Sequence, residues 1–193
     1  DIYQPHNGSA VLRSCDGFGI QDVHIIENRN KFDASRGVTI GADRWLSLYR
    51  YNEDANDNTK ICFAHLKREG YHIVATTPHA TIDSIDELPV NQKTALLFGA
   101  ELEGLSKEAL EMADAYVKIP MHGFSESFNI SVSAALCLYD FSSRMRREYD
   151  GWSLNEEEKA SLRYTWIKQS VKAASMLEKR YLSEHHPGYL GKD

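Results

Sequence analysis

Cysteine is scarce in this chain, which has three such residues among 193, at positions 15, 62 and 137. An odd number at unrelated spacings argues against a disulfide framework and against a cysteine zinc site. The eight histidines show no zinc-ligand spacing either. We therefore expect reduced thiols, no metal ion and a cytoplasmic location.

Long apolar runs are also lacking, since none approaches the length of a membrane span. The start, Asp1-Ile2-Tyr3-Gln4-Pro5, has neither the basic nor the apolar region of a signal peptide. It also lacks a methionine, so we expect the native N-terminus to lie upstream.

Two nucleotide-binding fingerprints are missing. Gly17-Phe18-Gly19 is half of a dinucleotide fingerprint without its third glycine, and no Gly-Lys-Ser/Thr P-loop occurs. These absences argue against NAD and against a P-loop nucleotidase. The formal net charge of −6 counts against RNA binding, but phosphate contacts need only a local basic face.

Helical and extended patterns alternate along the chain, which favours an α/β fold with a mostly parallel sheet and helices on both faces. The predicted strands are 23–26, 45–51, 71–76, 94–98 and 115–119, and the predicted helices are 9–18, 60–69, 106–113, 127–147 and 154–182. A polar break at 149–151 divides the chain into a domain, 1–150, and a C-terminal helical extension, 151–193. Ligands of such folds bind beyond the carboxyl ends of the strands.

The first chemically rich loop is 5–14. Asn7 is placed to cap the helix that follows. Arg13 lies among apolar neighbours, where an unpaired guanidinium would be costly, so we expect it to face a carboxylate or a phosphate. The alternative is an ordinary surface arginine on an amphipathic helix.

The second loop is 97–106, where Gly99 ends a predicted strand and lets the backbone approach a ligand. Glu101 falls just past the strand, and Ser106 is placed to cap the next helix. An ordinary strand-to-helix turn uses the same residue types, so this loop alone does not decide between a site and a turn.

The third loop is 119–131, where polar groups crowd the start of an apolar helix. Free backbone N–H groups and the helix dipole favour an anionic or polar ligand there. The alternative is a capping box of the Ser-x-x-Glu type with no ligand.

Together these loops resemble the three motifs of the SpoU/TrmH family of SPOUT RNA 2′-O-ribose methyltransferases. They occur in the family's order and span residues 5–139. The motifs are His6-Asn7-Gly8-Ser9-Ala10-Val11-Leu12-Arg13, then Phe98-Gly99-Ala100-Glu101 through Gly104-Leu105-Ser106, then Ile119-Pro120-Met121 through Ser127-Phe128-Asn129-Ile130-Ser131. Gln4-Pro5-His6-Asn7 looks closest to members that methylate a tRNA guanosine. Ala100, Phe128 and Ile130 depart from the usual residues, and the family's N-terminal helix is not found upstream of the first motif.

The resemblance implies a deep C-terminal trefoil knot in domain 1–150 and a homodimer in which both subunits contribute to each site. It implies methyl transfer from S-adenosyl-L-methionine (SAM) to a ribose 2′-hydroxyl of RNA, here the D-loop guanosine at position 18 of tRNA. By the same resemblance, the residues that line the SAM site are Thr76, Gly99, Ile119, Met121 and Phe128. The residues that serve catalysis are Arg13, Asn7, Glu101, Ser127 and Asn129, with Asn7 holding Arg13 or its partners.

The family proposal makes Arg13 the base that takes the hydroxyl proton, aided by an RNA phosphate. A guanidinium has a pKa above about 12, so a milder role is to stabilise the developing alkoxide and grip the phosphate. The sequence leaves both open.

Two other functions compete. A ribosomal RNA methyltransferase of the same fold would carry the same motifs, whereas a non-catalytic RNA-binding module would carry a broken set. All five catalytic candidates are present, which argues against the second. Several basic residues in the last third of the chain either contact phosphate or lie on solvated helix faces beside glutamates; they are Arg144, Arg146, Arg147, Lys168, Lys172, Lys179 and Arg180.

Overall fold

The computed structural model describes residues 1–54, 57–79 and 83–186. The chain forms two compact units, Asp1–Trp152 and Ser153–Asp193. No helix among the described residues is long and apolar enough to cross a membrane.

The strands described in the first unit pair with one another in parallel. The strands are β1 (Asp22–Ile26), β2 (Ser47–Tyr51), β3 (His72–Thr76), β4 (Asp83–Ser84), β5 (Thr94–Leu97) and β6 (Ala115–Lys118). A four-stranded sheet has the order β4-β6-β3-β5, and β1 pairs with β2 in a separate two-stranded sheet. The carboxyl ends of β6, β3 and β5 therefore lie side by side at one edge.

The helices of the first unit are α1 (Pro5–Phe18), α2 (Arg36–Thr39), α3 (Asn58–Arg68), α4 (Lys107–Met112) and α5 (Ile130–Glu148). Successive residues of a strand point to opposite faces. Val74 of β3 packs with Phe141 of α5, whereas Ile73 packs with Phe63 of α3 and Ala109 of α4. The predicted parallel sheet with helices on both faces is confirmed.

The three cysteines are free thiols in the cores of this unit. Burial raises the pKa of Cys15, Cys62 and Cys137 to about 12. Such thiols are protonated at neutral pH and behave as small apolar side chains.

Helix α1 is anchored by a close approach at Gly8. A Cβ atom there would lie 2.4 Å from Cε2 of Phe32, so the ring of Phe32 occupies the space that any side chain would need. The next residue, Ser9, is fully buried and its hydroxyl accepts a hydrogen bond from the Ser35 N–H at 2.8 Å. The Gly8-Ser9 pair therefore fixes the segment 32–35 against α1.

Two predicted helix starts are wrong by three or four residues. Helix α1 begins at Pro5 and not at residue 9, because proline is favoured in the first turn of a helix. Helix α5 begins at Ile130 and not at residue 127, because Asn129 has a non-helical ψ of 144° and caps the helix.

The second unit contains α6 (Glu156–Ser170) and α7 (Ala174–His185), where one helix was predicted over 154–182. The break lies at Ala173, whose φ of 59° is left-handed and cannot continue a right-handed helix. Asn155 and Glu158 form a reciprocal capping box at the start of α6. Lys168 of α6 pairs with Glu178 of α7 at 2.7 Å.

Candidate active site

The three predicted loops meet at a chain of polar side chains. Asn7, in the first turn of α1, donates a hydrogen bond from Nδ2 to Oε1 of Glu101 at 2.9 Å. Asn129 donates from Nδ2 to Oδ1 of Asn7 at 3.2 Å. One residue from each loop is therefore joined in a single network, although these residues lie 94 and 122 positions apart.

Glu101 lies beside the start of α1. Besides Asn7, its carboxylate accepts the backbone N–H groups of Tyr3 and Gln4 at 3.1 and 3.2 Å. Burial pushes the pKa of this carboxyl up, but the hydrogen bonds from Asn7 and from backbone N–H groups outweigh it and hold the pKa below its ordinary value. Glu101 is therefore an anion whose two oxygens are both engaged.

The prediction that Asn7 caps α1 is wrong. Since the helix begins at Pro5, Asn7 lies inside it, and its side chain instead contacts Gln4, Glu101 and Asn129. The side chain of Asn7 makes no hydrogen bond with Arg13, so it does not hold Arg13 directly; that it holds a partner of Arg13 stays a prediction.

Asn129 is the cap of α5. Its Oδ1 accepts hydrogen bonds from the backbone N–H and the hydroxyl of Ser131 at 2.9 and 2.7 Å. This asparagine cap replaces the Ser-x-x-Glu capping box that was the alternative prediction. Ser127 lies two residues earlier in the loop, is exposed, and is not part of the network.

The residues predicted to line the methyl-donor site follow the adjacent strand ends. Thr76 ends β3, Gly99 follows β5 and Ile119 follows β6. The Thr76 hydroxyl donates to the carbonyl oxygen of Leu97 at 2.8 Å, which links β3 to β5 at this edge. Met121 is half-buried, and Phe128 is 41% exposed.

The loop after β5 folds back on itself. Ala100 and Gly104 exchange two backbone hydrogen bonds of 2.9 Å. A Cβ atom at Gly99 would lie 2.2 Å from the carbonyl carbon of Gly104, so only glycine fits there. This loop has a fixed shape set by its own backbone.

Arg13 is exposed on α1. Among residues 1–54, 57–79 and 83–186 its guanidinium makes no ion pair or hydrogen bond. The predicted carboxylate partner is therefore not found in the described part of the chain, and a phosphate partner stays a prediction.

The predicted basic cluster at the end of α5 is largely used within the protein. Arg144 donates to the carbonyl oxygens of Leu88 and Ile85, both at 2.7 Å, and pairs with Asp140 at 2.8 Å. Arg146 donates to the carbonyl oxygen of Phe18. Because Arg144 is half-buried and its guanidinium is paired within the fold, the structure favours the alternative in which it does not contact phosphate.

Tyr3 and Gln4, whose backbone N–H groups donate to Glu101, were not predicted from the sequence. Gly8 offered a usable signal, since a glycine inside a helical pattern often marks a close approach.

Across the described residues, no group of three or more His, Cys, Asp or Glu side chains is arranged to hold a metal ion.

Residues 1–139 match the model of the SpoU rRNA methylase family. The chain belongs to this family. A relative from Borreliella burgdorferi, a tRNA (guanosine(18)-2′-O)-methyltransferase, is 42% identical over 178 residues, which cover 92% of this chain and 79% of the relative. The enzyme of the same name from Thermus thermophilus is 33% identical over 88% of this chain and 86% of its own length.

Solved SpoU structures have the same fold. The A. aeolicus TrmH/SpoU tRNA modifying enzyme superimposes with a TM-score of 0.75 at 30% identity, covering 89% of this chain and 87% of that one. The SpoU methyltransferase AviRb from Streptomyces viridochromogenes, solved in complex with AdoMet, has a TM-score of 0.64 at 23% identity over 75% of this chain and 57% of that one.

Proposed function

We propose that this protein is a SAM-dependent methyltransferase that modifies the ribose 2′-hydroxyl of guanosine 18 in tRNA. The observation that carries the proposal is the Glu101–Asn7–Asn129 network, which joins all three motif loops at the strand edge where α/β folds bind ligands. The relatives named as tRNA (guanosine(18)-2′-O)-methyltransferases support the substrate.

The strand edge suits a methyl donor that carries a purine. Ile119 and Met121 offer half-buried apolar surface, and the turn at Gly99 presents backbone rather than side chain. Thr76 and Phe128 complete the proposed donor site. When bound, SAM supplies an activated methyl group, so the protein has to align the ribose hydroxyl and help it lose its proton.

Arg13 is proposed to meet the RNA. Its guanidinium is exposed and free of partners among the described residues, whereas Glu101 is an unsuitable base because its carboxylate already accepts three hydrogen bonds. We assign Arg13 to the RNA phosphate and the developing alkoxide, which a planar cation stabilises. Asn7, Glu101 and Asn129 then act as positioning residues, and Ser127 is free to contact a substrate.

A homodimer is part of the proposal. Val132, Leu136 and Tyr139 of α5 are 44%, 41% and 63% exposed and, being four and three residues apart, share one helix face. A contiguous apolar face of this kind is typical of an interface. Phe18 at the end of α1 lies 6.1 Å from the ring of Tyr139, so the apolar face continues towards the helix that carries Arg13.

The finer features implied by the family complete the proposal. They are a trefoil knot formed by the chain around the β6–α5 region, a cytoplasmic location, and contact between RNA and the C-terminal helices. The residues available for that contact include Lys172, Lys179 and Arg180, of which Arg180 also pairs with Glu184 at 2.9 Å.

A ribosomal RNA substrate is the second candidate, because the 23S rRNA (guanosine-2′-O-)-methyltransferase RlmB of Nitrosomonas europaea is 32% identical over 80% of this chain. Transfer of tritium from methyl-labelled SAM to unmodified tRNA transcripts and to 23S rRNA fragments separates the two. We expect labelling of tRNA. Labelling of the rRNA fragments alone would favour the second candidate, and no labelling of either would contradict both.

A further inference from the structure

Glu101 joins two parts of the chain that are far apart in sequence. Its three hydrogen-bond donors, Tyr3 N–H, Gln4 N–H and Asn7 Nδ2, all belong to the segment that starts α1. Oε1 accepts two of these bonds and Oε2 the third, so both oxygens hold the same segment.

Helix α1 lacks a cap of its own. Gln4 occupies the N-cap position without a side-chain hydrogen bond, and the first turn contains no acidic residue. The start of a helix carries free N–H groups and partial positive charge, which a carboxylate stabilises. Glu101 supplies that carboxylate from the loop that follows β5.

The same loop bears Gly99, a proposed contact of the methyl donor. The backbone bonds between Ala100 and Gly104 and the close packing at Gly99 give the loop a fixed shape. A displacement at Gly99 is therefore passed to Glu101 rather than absorbed between them.

We propose that Glu101 is a positioning residue that couples the donor-binding loop to α1, so that occupancy of the donor site and order in the first turn of α1 rise together. The inference rests on the proposed function and adds a link between the two substrates. Since α1 carries Arg13, donor binding then prepares the group that meets the RNA, and RNA binding strengthens donor binding by the same factor.

Residue-resolved amide hydrogen exchange of the full chain tests this coupling, with and without S-adenosyl-L-homocysteine (SAH). The variant is Glu101→Gln, whose amide nitrogen cannot accept the N–H bonds. The matched control is Glu103→Gln, a carboxylate two residues away that forms an exposed pair with Arg29. Without ligand, we expect exchange at Tyr3, Gln4 and Gly8 to be about tenfold faster in Glu101→Gln and unchanged in Glu103→Gln.

With SAH, exchange at these amides is expected to slow in the wild type and in Glu103→Gln but not in Glu101→Gln. Binding of SAH without slower exchange in α1 would overturn the coupling alone. Failure of the wild type to bind SAH by calorimetry would overturn the proposed function together with it. If Glu101→Gln loses turnover while α1 exchange stays at the wild-type rate, Glu101 acts on the substrate and the positioning role is wrong.

Discussion

The side-chain amide of Asn129 donates to Oδ1 of Asn7 at 3.2 Å and so connects the start of α5 to the start of α1. The same Asn129 caps α5 through Ser131. One residue thus stabilises a helix and orients the network around Glu101. The two roles are separable by experiment.

Asn129→Ala is expected to lower the free energy of unfolding by about 1 kcal/mol, the usual cost of an N-cap, and to reduce methyl transfer by more than tenfold. The control is Asp57→Ala, which removes the cap of α3, where the Asp57 side chain accepts from Lys60 N–H. It should lose similar stability and keep its activity. Equal losses of activity in both variants would show that Asn129 acts only through stability.

The glycines of α1 offer a second pair of variants. Gly8→Ala puts a Cβ atom 2.4 Å from Phe32, so we expect a loss of about 1–3 kcal/mol in chemical denaturation. Gly17→Ala, in the same helix, meets nothing within 4 Å and is expected to gain up to about 1 kcal/mol. Phe32→Leu should recover part of the Gly8→Ala loss. A neutral Gly8→Ala would mean that the segment around Phe32 moves freely.

Arg13→Ala is expected to slow methyl transfer by about a hundredfold or more, while SAH affinity and folding stay close to wild type. Arg13→Lys should also fail, since a point charge does not replace a planar fork. Single-turnover rates and calorimetry measure the two effects, with Arg68→Ala on α3 as an exposed control. Most of the activity surviving in Arg13→Lys would rule out bidentate contact, and survival in Arg13→Ala would make Arg13 a surface cation.

Histidine 24 provides a pH prediction. Its Nδ1 hydrogen-bonds with the Tyr51 hydroxyl at 2.9 Å, its ring stacks on Tyr49 at 4.6 Å, and burial, followed by the nearby His65, lowers its pKa to about 4. In the unfolded chain the His24 side chain takes up a proton near pH 6.5. The contribution of neutral His24 to the free energy of unfolding is therefore complete above that pH and is lost as the pH falls towards 4.

The free energy of unfolding should therefore fall by about 1–2 kcal/mol from this group between pH 6.5 and 4. The measurement is urea unfolding across that range for the wild type and His24→Phe, which keeps an aromatic ring on Tyr49. The difference between their pH slopes is the expected signal. Identical slopes would mean that folding does not lower the pKa of His24.

Much of the fold follows from local patterns. The predicted strand 71–76 corresponds to β3, and the alternation of strand and helix patterns along the chain was enough to predict a parallel sheet covered on both faces. The break at Ala173 was not predictable, because alanine favours a helix and only the packing of α6 and α7 within their unit selects its left-handed angles.

The candidate site, too, was predicted only in part. Motif residues named Glu101, Asn7 and Asn129, but a sequence pattern does not state which groups pair across 94 or 122 residues. Arg144 is an example: it has the charge of a phosphate ligand, yet its guanidinium donates hydrogen bonds to the carbonyl oxygens of Ile85 and Leu88 within the fold.

The position of the transferred methyl group tests the central claim most directly. Wild-type protein is incubated with SAM and an unmodified tRNA transcript, and the product is digested and mapped by mass spectrometry. The account predicts one methyl on the ribose 2′-oxygen of guanosine 18, and at least about a hundredfold less of this product in the same time with Arg13→Ala. A methyl group on a base, a methylated nucleotide elsewhere in the tRNA, or no transfer by folded protein that binds SAH would contradict it.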